Sequence, residues 1–299
     1  MPWLQVETLA GQRDPQTVER VLSELGAAAV WLKDAGDEPI LEPAPGETPG
    51  WSETLVTALF TADFREADLR AALDDTVPGI EWRFAVVEDQ DWQSAFEQTL
   101  RPLRFSDRLW VIPDGSPAPD HGAVVRLAPG MAFGTGEHPT TAMCLQWLAQ
   151  QALDHAGVLD YGCGSGLLAI AALKLGASRC CAVDIDPQAL DATAENAASN
   201  AVADRLIIVE PDAVPAGAQY DVLVANILSG TLIDLGPVLC DLVKPGAPLA
   251  LTGILSEQAD GVIAAWSGWA DLNVGDQNGD WVLLSGMKHT TERETERGN

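Results

Sequence analysis

Apolar positions along the 299-residue chain change period several times, and each change marks an element. Trp3–Leu9 is strand-like. Asp14 then caps a helix with Pro15 at its first position, whose stripe is Val18, Val21, Leu22 and Leu25 before Gly26 stops it. Ala28–Leu32 reads as a second strand, Thr54–Phe60 as a third, and Phe64–Leu73 as a second helix. Pro78-Gly79 turns into Ile80–Val87, a fourth strand. Residues 34–50 carry glycine, proline and acids and read as an exposed loop. The order β-α-β-β-α-β predicts a small α+β ferredoxin-like sandwich, a four-stranded antiparallel sheet with both helices on one face.

In Asp91–Leu100, Trp92, Phe96 and Leu100 recur every four residues, which predicts a helix with one apolar face. Leu109–Pro113 and Ala123–Leu127 predict two strands joined by a proline-, glycine- and aspartate-containing turn. From Gly157 onward, strands and helices alternate. Strands are expected at Val158–Tyr161, Cys180–Asp184, Leu206–Val209, Asp221–Ala225, Ala247–Leu251 and Trp281–Leu284. Helices are expected around Leu167–Leu175, Pro187–Ala198, Thr231–Leu242 and Ser256–Trp266. Such alternation gives an α/β, Rossmann-like domain with a mostly parallel sheet covered on both faces. The expected organisation is therefore a first domain over 1–88, a linker helix over 89–104, a second domain over 105–289 and a disordered tail over 290–299.

Composition narrows the function classes. Apolar residues make up 47% of the chain, enough for two cores, and the formal net charge is −27. Residues 1–88 hold 17 acids against 6 bases, a net of −11, which argues against RNA recognition by the first domain and favours protein binding or dimer packing. The five cysteines show neither disulfide nor zinc spacing, so no metal is expected and the thiols read as buried and free. The chain starts without a basic or apolar leader and has no run of about 18 apolar residues, so a soluble cytoplasmic protein is expected, with no membrane contact.

The chemistry concentrates at Asp160-Tyr161-Gly162-Cys163-Gly164-Ser165-Gly166, an apolar run ending in an acid, a glycine turn and then a helix. A dinucleotide fingerprint would put its third glycine at 167, where the chain has Leu167; the glycine falls at 166 instead. The resulting G-x-G-x-G pattern is that of S-adenosylmethionine-dependent methyltransferases. Asp184 closes the next strand, placed for ribose hydroxyls to donate to its carboxylate. Asn226 ends a later strand at the carboxyl edge of the sheet, where its side-chain oxygen is able to accept N–H bonds from a substrate amine; it also fits a purely structural role at a strand end. Pro139 places Phe133–His138 just before a helix, a position suited to anions, with Thr140 and Thr141 adding hydroxyls. His138 alone reads as a capping or packing residue rather than a catalytic one.

Taken together, the Asp91-Trp92 segment with Phe96 and Arg101-Pro102, Phe133–Thr141, Asp160–Gly166, Val183–Ala189 and Val224–Leu228 resemble the bacterial ribosomal protein L11 methyltransferases over nearly the whole chain. Asn226-Ile227-Leu228 replaces the proline-containing motif of other amine methyltransferases. Tyr161 departs from the pattern, standing where an apolar residue or Phe is expected.

The resemblance implies an N-terminal substrate-recognition domain and a class I methyltransferase domain that modifies the α-amine and lysine side chains of one basic ribosomal protein, with the free form preferred. It implies cofactor contacts at Thr141, Gly162, Gly164, Asp184 and Asn226, with Asn226 also orienting the amine. Two alternatives stay open: methylation of another protein or small-molecule amine, and cofactor binding without chemistry.

Overall fold

The computed structural model describes residues 2–11, 13–36, 53–61, 63–87, 101–127, 136 and 138–290. The chain divides into two compact units, Met1–Ala95 and Phe96–Asn299.

The first unit contains β1 (Trp3–Leu9), α1 (Pro15–Glu24), β2 (Ala29–Asp34), β3 (Thr54–Thr61), α2 (Glu66–Thr76) and β4 (Arg83–Val87). Asp14 caps α1 by accepting from the Gln16 N–H at 3.2 Å, and Pro15 takes the position whose N–H would be unbonded anyway. The sheet order is β2-β3-β1-β4, with every neighbouring pair antiparallel. Period-two alternation sends Leu4, Val6, Val56, Ala58 and Phe60 to one face, where they pack with Val18 and Leu22 of α1 and Leu69 and Leu73 of α2.

The fourth strand starts three residues later than the apolar pattern suggests. The ladder ends at Glu7 opposite Arg83. Beyond it the Thr8 hydroxyl donates to the Glu81 carbonyl at 2.9 Å, and Trp82 is buried without pairing. Apolar character at Ile80 and Trp82 therefore reports the core rather than the ladder. The loop expected over 34–50 lies almost wholly outside the described residues, as does most of the expected linker helix. Of the span 89–104 only 101–104 are described, and there Leu103–Arg104 form a strand. Pro102 explains the change, since it lacks an N–H and disfavours helical backbone at the residue before it.

The second unit opens with a three-stranded sheet of β5 (Leu103–Arg104), β6 (Leu109–Pro113) and β7 (Ala123–Leu127). Rather than forming a hairpin, β6 and β7 run parallel, from Leu109 opposite Ala123 to Pro113 opposite Leu127. Residues 114–122 carry the chain back along the strand, a span that nine residues at about 3.3 Å each cover easily.

There follow α3 (Pro139–Gln150), β8 (Gly157–Tyr161), α4 (Leu167–Lys174), β9 (Arg179–Val183), α5 (Pro187–Ser199) and β10 (Leu206–Val209). Then come β11 (Val222–Asn226), α6 (Ser229–Asp241), β12 (Pro248–Leu255), α7 (Ala259–Trp266), β13 (Ala270–Asn278) and β14 (Trp281–Lys288). They build a seven-stranded sheet in the order β10-β9-β8-β11-β12-β14-β13, parallel except where β14 meets β12 and β13. One face packs against α3, α4 and α5 through residues such as Val158, Cys180 and Val224, the other against α6 and α7 through Leu159, Leu223 and Trp266. Burial on both faces explains why the inner strands read as continuous apolar runs. Strand order reverses between β9-β8 and β8-β11, so a crevice opens at the carboxyl ends of β8 and β11.

Candidate functional site

The glycine turn leaves β8 at that crevice. Gly162, Gly164 and Gly166 have φ of 80, 53 and 75°, backbone that side-chain-bearing residues rarely adopt. Two of them are also crowded. A Cβ on Gly162 would overlap the Ile227 side chain, and one on Gly166 would stand 2.6 Å from the Thr193 methyl. The Val183 carbonyl accepts from the N–H groups of Gly162 and Cys163 at 2.7 and 3.0 Å, tying the turn to the end of β9. From α5, the Thr193 hydroxyl donates to the Gly164 carbonyl at 2.9 Å, and the Asn196 amide donates to the Ser165 carbonyl at 2.9 Å. The turn is thus held by its own strand, the next strand and the next helix.

Asp184 stands one residue past β9. Its carboxylate accepts from the Gly164 N–H at 2.9 Å with one oxygen and from the Asp186 N–H at 3.0 Å with the other. Each oxygen keeps a further lone-pair direction for a ligand hydroxyl. Ile185 beside it is 81% exposed, an apolar surface next to a fixed carboxylate.

Asp160 lies under the turn, fully buried at the end of β8. One carboxyl oxygen accepts from the Ala169 N–H at 2.9 Å, in the first turn of α4. Gly166, the residue before that helix, has no side chain to cap it, so Asp160 supplies the acceptor from the strand. The other oxygen is buried and has no hydrogen-bond partner among the described residues. Burial pushes the carboxyl up to about 7, the Ala169 N–H opposes the shift, and the Asp184 charge adds to it. The neighbouring thiols of Cys144, Cys163 and Cys180 are driven upward by burial and by Asp160, so they are not nucleophiles. All five cysteines are free and buried.

Across the crevice, Asn226 ends β11, and its amide donates to the Thr141 hydroxyl at 3.2 Å. Thr141 is buried in the first turn of α3. The Asn226 side-chain oxygen remains available as an acceptor. Ile227 then bonds by its N–H to the Thr252 carbonyl at 3.1 Å, extending β11 toward β12.

The five residues singled out from sequence form two groups. Gly162, Gly164 and Asp184 are linked directly or through Val183, and Thr141 is bonded to Asn226. Phe133–Thr135 and Glu137 lie outside the described residues. Thr193 and Asn196 escaped the sequence reading; the available signal was two polar residues three apart on an otherwise alanine-rich helix. Among the described residues no His, Cys, Asp or Glu cluster is able to hold a metal ion.

The family model described as ribosomal protein L11 methyltransferase (PrmA) matches residues 2–289. The chain is 48% identical over 294 residues to the ribosomal protein L11 methyltransferase of Pseudomonas putida, covering 96% of this chain and 100% of that one. It is 43% identical over 294 residues to the namesake of Shewanella amazonensis, covering 96% and 99%. Among solved structures it is similar to a ribosomal protein L11 methylase from Lactobacillus delbrueckii subsp. bulgaricus, at 30% identity and a TM-score of 0.57, over 63% of this chain and 98% of that one.

Proposed function

The chain belongs to the ribosomal protein L11 methyltransferase family, and we propose that it methylates the α-amine and lysine side-chain amines of ribosomal protein L11 using S-adenosylmethionine. The observation that carries the reading is the crevice itself: a glycine turn too crowded for side chains, a backbone-anchored carboxylate and an asparagine stand at the carboxyl ends of the adjacent strands β8, β9 and β11. Those groups fit the cofactor. Asp184 would hold the ribose hydroxyls, Ile185 would offer an apolar surface to the base, and the turn around Gly162 and Gly164 would admit the rest by close backbone approach. Thr141 and Asn226 would line the other side of the crevice. When bound, the cofactor supplies an electrophilic methyl group on a positively charged sulfur.

Everything else falls to the chain. The attacking amine must be neutral. An α-amine with a reference pKa of about 7.7–8.0 loses its proton readily, whereas lysine, near 10.4, needs desolvation. A carboxylate beside the amine would hold it charged, so no acidic base is assigned. Because Thr141 accepts from the Asn226 amide, the Asn226 oxygen is turned toward the crevice, where it accepts an N–H of the substrate amine and directs its lone pair. The proton leaves to solvent.

The strand order β2-β3-β1-β4 of the first unit supports a ferredoxin-like sandwich, and we assign substrate recognition to residues 1–88, with the linker in the span after it giving way to the catalytic domain by β5 at Leu103. A net charge of −27 attracts a basic ribosomal protein and repels ribosomal RNA, which favours modification of free L11 in the cytoplasm before assembly. No helix among the described residues is long and apolar enough to cross a membrane.

The test is incubation with methyl-labelled S-adenosylmethionine and either total free ribosomal proteins or intact large subunits. One labelled band, at L11 and only in the free mixture, is expected. Label on another protein would support the alternative adaptor role, and absence of label with retained cofactor binding a non-catalytic one. Equal labelling of intact subunits at moderate salt would refute the preference for free protein.

A further inference from the structure

The Thr141–Asn226 pair depends on where α3 begins, and the residue that fixes that point is His138. Its Nδ1 lies 2.7 Å from the Thr140 hydroxyl and accepts from the Thr140 N–H at 3.4 Å, as the N-cap of α3. The ring stacks edge-on against Trp281 of β14, with centroids 5.3 Å apart. We propose that His138 is a positioning residue for methyl transfer, a neutral cap locked between Thr140 and Trp281 that sets the first turn of α3 and so holds the Thr141 hydroxyl where it anchors Asn226. The proposal rests on the methyl-transfer reading for its kinetic arm only.

A helix N-terminus presents N–H donors, so a cap acts as an acceptor. With Nδ1 accepting from the Thr140 N–H, the cap assigns the neutral ring the tautomer with its hydrogen on Nε2. That tautomer has its one acceptor nitrogen already committed, which leaves His138 nothing with which to take a proton from an amine. Protonation would turn Nδ1 into a donor facing the Thr140 N–H and would place a positive charge at the positive end of the helix dipole. The ring is met by the Thr140 hydroxyl and N–H on α3 and by the Trp281 indole on β14. His138 is exposed overall, and the partial desolvation of its ring lowers the pKa below its usual 6.5, so the acceptor form prevails at neutral pH. The cap is complete above the ordinary histidine value and is lost as pH falls through the lower folded one.

The experiment compares His138→Asn, which supplies a non-titrating acceptor, with His138→Ala, which supplies none. In ligand-free protein, amide exchange in the first turn of α3 should be about five- to thirtyfold faster in H138A and close to wild type in H138N. The kcat should follow the same order, low in H138A and restored to within about twofold in H138N. The ratio of H138N to wild-type kcat should rise as pH falls below the ordinary histidine range, a comparison in which substrate-amine ionisation cancels.

Unchanged exchange in H138A overturns the proposal. So does an H138N enzyme as slow as H138A with a fully protected first turn, which would place the ring itself in the reaction. If the wild-type protein methylates nothing, the functional reading fails, while the exchange arm still decides the cap.

Discussion

Asp160→Asn tests whether a buried, half-partnered carboxyl under the cofactor turn carries the proton the structure assigns to it. In the folded chain the carboxyl is raised from 3.8 to about 7, chiefly by burial. Below the unfolded value both states are protonated, and the group costs nothing. As pH rises from about 4 the unfolded chain releases its proton while the folded one keeps it, so stability falls by about 1.4 kcal/mol per pH unit until the folded group ionises. A shift of about three units corresponds to about 4 kcal/mol lost by about pH 8.

Asparagine does not titrate. Its oxygen retains the Ala169 N–H bond, and its NH2, in place of the unpartnered oxygen, adds a constant desolvation cost of about 1–3 kcal/mol. The variant should therefore be less stable than wild type below about pH 4, lie close to it near pH 5 and overtake it near pH 8. The gap should move by about 3 kcal/mol between the last two conditions, since about two pH units lie below the folded value. Urea denaturation across that range, reading the transition of the unit Phe96–Asn299, measures the difference while all other titrating groups cancel. A gap that stays constant with pH would refute the reasoning, because it would mean that Asp160 ionises in the folded chain much as it does in the unfolded one.

Three further substitutions probe separate supports. Gly162→Ala forces a Cβ into Ile227 at φ 80°, so the turn must shift and cofactor affinity should fall at least about tenfold by calorimetry; an unaltered Kd would show that the turn yields without cost. Asn226→Ala should lower kcat more than it weakens cofactor binding, and unchanged turnover would remove Asn226 from the mechanism. Lys288→Met removes an ammonium whose Nζ donates to the Cys240 carbonyl in the last turn of α6 at 2.7 Å and to the Val243 carbonyl just past it at 3.0 Å. It should cost about 2–4 kcal/mol in urea denaturation without changing the Kd for cofactor, and a loss below about half a kcal/mol would show that water replaces the ammonium.

Local pattern revealed most elements because their burial is periodic. It failed where burial and secondary structure part company. Ala270–Asn278 is a nine-residue strand, yet only Ala270 and Leu272 are buried, and its apolar alternation stops at Val274, so most of its length carries no apolar period. It exists because β14 pairs with it along its length at the edge of the sheet. The reverse occurs at Ile80–Trp82, apolar and packed but outside the ladder. The parallel pairing of β6 and β7 was hidden for a third reason. A turn-rich connection of this length permits a return either antiparallel or parallel, and the choice is made by neighbours such as Asn200 of the following domain core. Its side chain bonds both the N–H and the carbonyl of Arg126 at 2.7 Å, like a strand partner.

The candidate site divides along the same line. Gly162, Gly164 and Asp184 were legible because a turn needing positive φ leaves glycines in a fixed spacing, and the acid lies one strand–helix–strand step away. The bond between Thr141 and Asn226 joins residues 85 positions apart, and no local spacing encodes it. His138 shows most plainly why residue type alone misleads. A histidine two residues before a threonine at a helix start has the sequence signature of a cap and of a catalytic base alike. The contact of Nδ1 with the Thr140 N–H favours the cap, in which the ring's acceptor nitrogen is engaged at the helix start. In this site Asp160 and the three nearby thiols are held toward their protonated forms and His138 sits at a helix start, so the proposed chemistry is left to a neutral amide and to backbone. That suits a reaction whose nucleophile must arrive uncharged: a fixed charge of either sign beside the amine would hinder it, a negative one by keeping it protonated and a positive one by repelling the charge it acquires as the methyl group transfers.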